Sequence, residues 1–318
     1  MANVKQTDIL TGSIPRQLLA FFLPIWFGTL FQQLYNTADS IIVGNFVGSN
    51  ALAAVGSSGS PIFLLIGFSQ GIAVGAGVVV SQFLGAKDRE GAHTAVHTSL
   101  ALSAILGAIL TVCGIAVSRA LLTAMNTPAE VLEDAVLYMR LYFGGVLFSV
   151  VYNMAAGILN AAGNSKRSLL YLGVASITNI VLDLVLIAGC KMGVAGAAIA
   201  TVVSQVASAL LTLRCIIGSE GMPWHVSLDK MRIEPGILGA ICTIGIPAAA
   251  QSAMYNVSNM LIQSSMNSFG TSTIAAWGVY GKIDFVFWMT INSLGIAITT
   301  FAGQNFGCLL YTSPSPRD

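Results

Sequence analysis

Asp39 and Asp183 each stand inside a long run of otherwise uncharged, mostly apolar residues. A carboxylate held in hydrocarbon is expensive, so one that persists there marks a functional site by default. Asn179 precedes Asp183 by four residues, which puts both on one helix face. Thr201 stands in the next apolar run. Two carboxylates, an amide oxygen and a hydroxyl are hard oxygen ligands suited to Na⁺ or to a shared proton. Each has a plainer alternative. Asp39 and Asp183 read also as interhelical hydrogen-bond partners, Asn179 as a packing bond worth about 0.6 kcal/mol, and Thr201 as an ordinary helix contact. Two acids at one depth favour cation binding, and with it ion-coupled transport.

Such a set needs helices of the right length and direction. The 318 residues are 55% apolar and only 8% charged, and the mean hydropathy is +0.79. That composition excludes an ordinary soluble domain and implies an all-α integral membrane fold. The net charge of +1 says nothing about acidic partners, and no nucleic-acid partner is expected. Cys113, Cys190, Cys215, Cys242 and Cys308 show no CxxC and no Cys/His spacing, so neither a disulfide framework nor a zinc site is expected. The polar stretch Met1–Arg16 and the long apolar run after it do not read as a cleaved signal.

A span needs about 20 apolar residues. Eight runs qualify, at roughly 17–43, 53–84, 94–118, 135–160, 168–189, 193–217, 237–268 and 277–306. The flanks on one side hold Lys5, Arg16, Lys87, Arg89, Lys166, Arg167, Arg214, Lys230 and Arg232; those on the other hold Arg119, Lys191 and Lys282. The richer side, with the N-terminus, is expected to face the cytoplasm. Spans one and five then both run outward and end near Gly44 and Gly189. Asp39 and Asp183 fall at matched depth, roughly 8–9 Å below the outer boundary, with Thr201 near the depth of Asn179.

Segment 245–307 echoes segment 22–85. Leu23-Pro24 matches Ile246-Pro247, and Gln82-x-x-Gly85 matches Gln304-x-x-Gly307, at offsets of 223 and 222 residues. A period of that length holding six spans implies a duplicated six-helix unit, a transporter architecture with substrate held between the halves. The expected organisation is a six-helix lobe over 1–217, a cytoplasmic inter-lobe linker over 218–236, and the first two helices of an incomplete second lobe over 237–307. Residues 308–318 break the repeat and match a translated sequencing-library adapter, so they are read as an artefact. About four helices are then expected beyond Gly307.

Pro24, Gln33-Leu-Tyr-Asn-Thr-Ala-Asp39-Ser-Ile-Ile-Val-Gly44, Gln82-x-x-Gly85, Gly157-x-x-Asn160-Ala-x-Gly163, Asn179-x-x-x-Asp183, Gly193-Val-x-Gly-Ala-Ala-Ile-Ala-Thr201 and Gly303-Gln-Asn-x-Gly307 together resemble the MATE (multidrug and toxic compound extrusion) family over nearly all of 10–307. The resemblance implies twelve helices in two six-helix lobes, here about eight of the twelve, around a central cavity. It implies alternating access, with Na⁺ or H⁺ entering and an organic, usually cationic, drug leaving. In the DinF-like branch the first lobe carries a cation site, whose positions match Asp39, Asn179, Asp183 and Thr201 here. The NorM-like branch uses an acid in span seven, and Gly245–Phe269 contains none. The same resemblance places the protein in the bacterial inner membrane, as a monomer in the lipid bilayer, with no cofactor beyond the coupling ion.

Other residues carry weaker expectations. Gln33, Tyr35, Asn36 and Asp284 are candidates for the substrate cavity, although lipid contact or interfacial charge is the plainer reading. Met260, Met266, Trp277 and Trp288 would offer soft or aromatic surface to flat cations. Pro24 is a candidate hinge. Arg140 is expected to snorkel or to pair with Glu133 or Asp134. His93 and His97 share a face and are expected at a solvated helix end. A flippase for a lipid-linked precursor would want several cavity Arg or Lys, and the first-lobe spans hold only Arg140. An intramembrane enzyme would want a His/Glu metal set or a Ser/His pair within the spans, and neither occurs. A channel fits the repeat less well than a carrier does. The 318 residues alone, lacking half the cavity wall, are expected to be a non-functional fragment.

Overall fold

The computed structural model describes the backbone of residues 13–267 and 271–312. Side chains are described within that range except at 228, 260, 263–264, 266–267, 271–279, 281–283 and 310–312. Met260, Met266, Trp277 and Lys282 therefore lie outside the described side chains. The described residues form helices and no strand: α1 Ile14–Phe46, α2 Ser49–Gly85, α3 Arg89–Ala124, α4 Ala129–Ala161, α5 Ser165–Asp183, α6 Gly193–Ile217, α7 Pro235–Asn267 and α8 Thr271–Thr312. Each carries a stretch long and apolar enough to cross a membrane. With most backbone groups bonded within the helices, such a chain satisfies its polar backbone in lipid.

The helices overrun the apolar runs because backbone bonding carries them past the hydropathy edge. Asp88 shows how one end is fixed: its carboxylate accepts the backbone N–H of Gly91 at 2.9 Å and caps α3. Pro24, Pro61 and Pro247 lie inside α1, α2 and α7 without ending them. Near Pro24 the carbonyl of Phe21 accepts a bond from Ser165 Oγ at 3.2 Å, a brace from α5 where the proline weakens the α1 ladder.

Two apolar clusters stack along the bundle. One joins Ile42 and Val43 of α1 to α2, α3, α4 and α6 through Ile66, Leu122, Phe143 and Ala197. The other joins α2, α3, α4, α6 and α7 through Val80, Val96, Ile158, Ile216 and Ile241. The connection from α6 to α7 belongs to the second cluster. It reads as a polar linker, yet Trp224 and Val226 are buried in that core.

α2 and α8 cross at the two copies of the repeated motif. A side chain added at Gly85 would strike the backbone of Gln304, and one added at Gly307 would strike the backbone of Gln82. That reciprocity is what an approximate two-fold relation between the copies requires. Only glycine allows so close an approach. The Gln304 amide also donates to the carbonyl of Ala161 at 2.6 Å, tying α8 to the end of α4.

The pairing of Arg140 with Glu133 and the solvated setting of His97 are not what the structure shows, while Arg140 is exposed as snorkelling requires. Glu133 pairs with Arg119 across the α3–α4 hairpin at 2.7 Å rather than with Arg140, because the hairpin brings the ends of α3 and α4 together. His97 is buried, not solvated. The folded-back linker covers it: its Nε2 accepts the backbone N–H of Ser227 at 3.1 Å, and its Nδ1 lies 2.7 Å from the carbonyl of His93.

Candidate functional site

α5 is regular as far as Asp183 and then widens into a π-helical segment, Leu184–Gly189. A π-helical turn inside a helix often accompanies a functional site. The turn into α6 needs left-handed backbone at Lys191 (φ 54°) and Gly193 (φ 59°), which glycine adopts freely. α6 then returns close to α5, with Gly196 against Leu186 and Ile187. That closeness brings Thr201 to Asn179.

Asn179 and Asp183 are fully buried, while Asp39 and Thr201 are 8% and 7% exposed. The Thr201 hydroxyl donates to the carbonyl of Ala197 at 3.0 Å, and its lone pair faces the Asn179 amide nitrogen at 3.5 Å. That arrangement turns the Asn179 amide oxygen away from Thr201. This oxygen, Oδ1 of Asp39 and both carboxylate oxygens of Asp183 are buried without a hydrogen-bond partner among the described residues. Asp183 lies within electrostatic reach of Asp39, and both act on Tyr35 and Tyr138. The residues singled out in three separate spans therefore form one neighbourhood.

Four unsatisfied acceptors without a donor form an arrangement that an added cation or proton would complete. Each buried polar group left unpaired costs about 1–3 kcal/mol, and more when it is charged. No group of three or more His, Cys, Asp or Glu suited to a metal occurs among the described residues. The set offers carboxylate, amide and hydroxyl oxygens, which are hard ligands.

The remaining candidates divide. Tyr35 precedes Asp39 by one turn and lies within electrostatic reach of both carboxylates. Gln33 is partly buried and Asn36 exposed on the same helix, and their carbonyls accept from Thr37 and Ser40. Pro24 is buried in α1, far along the helix from Asp39. Asp284 sits apart: it accepts the Tyr280 hydroxyl at 3.2 Å, near Tyr255 and Trp288, whose rings lie 4.6 Å apart.

Three residues were missed. Tyr138 and Tyr142 of α4 stack with ring centroids 6.3 Å apart, and Tyr142 accepts from the Gln205 amide at 3.2 Å. Oε1 of Gln205 is another buried acceptor without a partner. The available signal was spacing, since Gln205 follows Thr201 by four residues and Tyr142 follows Tyr138 by four.

Residues 24–185 match the family model MatE. The probable multidrug resistance protein YpnP of Bacillus subtilis (strain 168) is 30% identical over 96% of this chain and 68% of its own length. The probable multidrug resistance protein YoeA of the same organism is 31% identical over 93% of this chain. The chain spans 65% of that second relative's length, short of two thirds. A solved structure of MATE in the bent conformation superposes with a TM-score of 0.88 at 28% identity, covering 96% of this chain and 68% of the other.

Proposed function

We propose, from the premise that this chain belongs to the MATE family, that it forms the cation-binding part of a multidrug antiporter. The family's members are transporters rather than enzymes, and the chain is a multi-pass membrane protein. In this reading the whole protein exports small organic, mostly cationic compounds by alternating access, driven by Na⁺ or H⁺. Asp39, Asn179, Asp183 and Thr201 hold the coupling ion. The observation that carries the reading is the set of four buried oxygens without partners on Asp39, Asn179 and Asp183.

Several finer points go with it. The absence of any acid between Gly245 and Phe269 supports a DinF-like site in the first lobe. The Lys/Arg asymmetry supports a cytoplasmic N-terminus, in the bacterial inner membrane. Gln33, Tyr35 and Asn36 lie on the face or flank of α1 that carries Asp39, and would meet the drug there. Asp284, grouped with Tyr280, would contribute from α8. A monomer with no cofactor besides the ion suffices for this scheme.

The mechanism follows from electrostatics. With both acids ionised and unpartnered, their repulsion and the surrounding low dielectric disfavour the empty site. A bound ion bridges α1, α5 and α6. Releasing it frees α1 to move about Pro24, so that cation and drug compete for one N-lobe arrangement.

The test is ethidium efflux from everted vesicles carrying the complete protein, with Na⁺ and pH gradients imposed separately. Asp39→Asn and Asp183→Asn each abolish gradient-driven efflux while the protein still reaches the membrane. Normal efflux by either variant overturns the site assignment.

A further inference from the structure

The start of α3 and the linker between α6 and α7 form an open groove of about 670 Å³ at the cation-rich end of the bundle. Its wall carries Arg89, His93, His97, His225, Lys230 and Arg232, against one acid, Glu90. His97, His225 and Lys230 all act electrostatically on the His93 ring, so these groups face a common space. Three further acids, Asp88, Asp229 and Glu234, stand close to this lining. Asp88 is engaged in capping α3, and Arg232 has only a 3.9 Å exposed contact with Glu234, a geometry worth little. Arg89 and Lys230 make no ion pair among the described residues. The Nδ1 atom of His225 is buried without a partner.

A concave wall in which one sign of charge predominates focuses its field and gathers counter-ions. Two arginines and a lysine suit phosphate oxygens: the guanidinium forks bind them in pairs, and the ammonium binds them as a point charge. A smaller cavity of about 250 Å³ shares Arg89 and Pro223 with the first and adds Lys87, Asp88, Phe83 and Leu84. The cationic groove therefore opens beside a partly apolar cavity.

We propose that this groove binds a phosphate-bearing anion and that the anion fastens the inter-lobe linker to α3. The linker is already held by Ser227 on His97 and by the backbone N–H of Glu234 on Thr98 Oγ1, at 3.1 and 3.2 Å. Arg89 belongs to α3, whereas Lys230 and Arg232 belong to the linker, so an anion between them adds a third tie. It also relieves their mutual repulsion. The phosphate comes either from a soluble ester or from the headgroup of an anionic phospholipid, for which the apolar side chamber would seat the first part of the tail.

Thermal unfolding of the purified, delipidated chain in detergent tests the proposal. Inorganic phosphate is compared with chloride at equal ionic strength, and phosphatidylglycerol mixed micelles with phosphatidylethanolamine ones. Phosphate, phosphatidylglycerol or both raise the midpoint, saturably. Lys230→Gln weakens the effect about tenfold, and Arg89→Gln with Lys230→Gln and Arg232→Gln removes it. Without added anion the triple variant unfolds at or above the starting midpoint, because its repulsion is gone. A rise with both probes means that phosphate alone is recognised. A rise with phosphatidylglycerol alone identifies a lipid headgroup. No rise with either overturns the proposal, as does an equal rise in Lys230→Gln, an exposed change that provides the reading if the triple variant fails to fold.

Discussion

Replacing Asp183 by Asn separates the two things that a buried carboxylate does in this reading: it destabilises the empty site and holds the ion. The empty site leaves four oxygens of Asp39, Asn179 and Asp183 without donors. At about 1–3 kcal/mol each, that is roughly 4–12 kcal/mol of unmet hydrogen bonding. The Asp183→Asn amide would keep the shape, remove one charge and supply two N–H donors to a place crowded with acceptors. Satisfying even one or two of them raises the stability of the ion-free protein by about 1–3 kcal/mol. The wild-type protein gains instead from its ion, about 2.7 kcal/mol at a concentration one hundred times the dissociation constant. The assay is thermal unfolding in detergent across a Na⁺ series at several pH values. The wild-type midpoint rises with Na⁺ or with added acid, because both ions serve the same oxygens. The Asp183→Asn midpoint starts higher and stays flat. An unstabilised Asp183→Asn protein that responds to ions as the wild type does would refute the reasoning, since the oxygens would then not be the site.

Gly85→Ala and Gly307→Ala each force α2 and α8 apart at a backbone contact, and each lowers stability by about 1–3 kcal/mol. Gly56→Ala, on the same α2 with open space around it, holds or raises stability by up to about 1 kcal/mol; the three midpoints measured together check the crossing. Trp224→Ala removes the buried anchor of the linker at a cost of about 3–5 kcal/mol. Limited proteolysis then cuts the 218–234 stretch faster, whereas a protection pattern like that of the wild type would show that the anchor does not hold it.

Helix periodicity and depth were enough to bring Asp39, Asn179, Asp183 and Thr201 into one neighbourhood, because each rests on a rise and a repeat that a helix cannot evade. What they omit is rotation about the helix axis and anything contributed by a non-helical segment. Tyr138 and Tyr142 were missed for the first reason: nothing in the apolar pattern of α4 says which of its faces turns to α1. His97 was misjudged for the second, since its burial depends on a linker that folds back over it. The π-helical turn after Asp183 was invisible because hydropathy does not sense which carbonyl a backbone N–H chooses. Glu133 found Arg119 rather than Arg140 because the hairpin joined two helix ends, a contact that spacing along one helix does not contain.

In the proposed scheme, the position of Pro24 relative to Asp39 would let a small site govern a large motion. Fifteen residues separate them on one continuous helix, about 22 Å at the α-helical rise. A bend of about 10° at Pro24, where the ladder lacks one hydrogen bond, swings Asp39 by roughly 4 Å. Hard cations hold their oxygens at about 2.4 Å, so a displacement of that size removes the Asp39 carboxylate from any ion still on Asn179 and Asp183. Those two residues are fixed differently, on α5 against α6, with Gly196 at the π-helical turn holding the pair close. In the proposed scheme the ion would join one helix free to pivot to two that are packed together. In such a geometry ion binding and the setting of α1 would be one equilibrium. Anything that occupied the space beside Tyr35 and Asp39 would shift it, which is the coupling the proposed antiport needs.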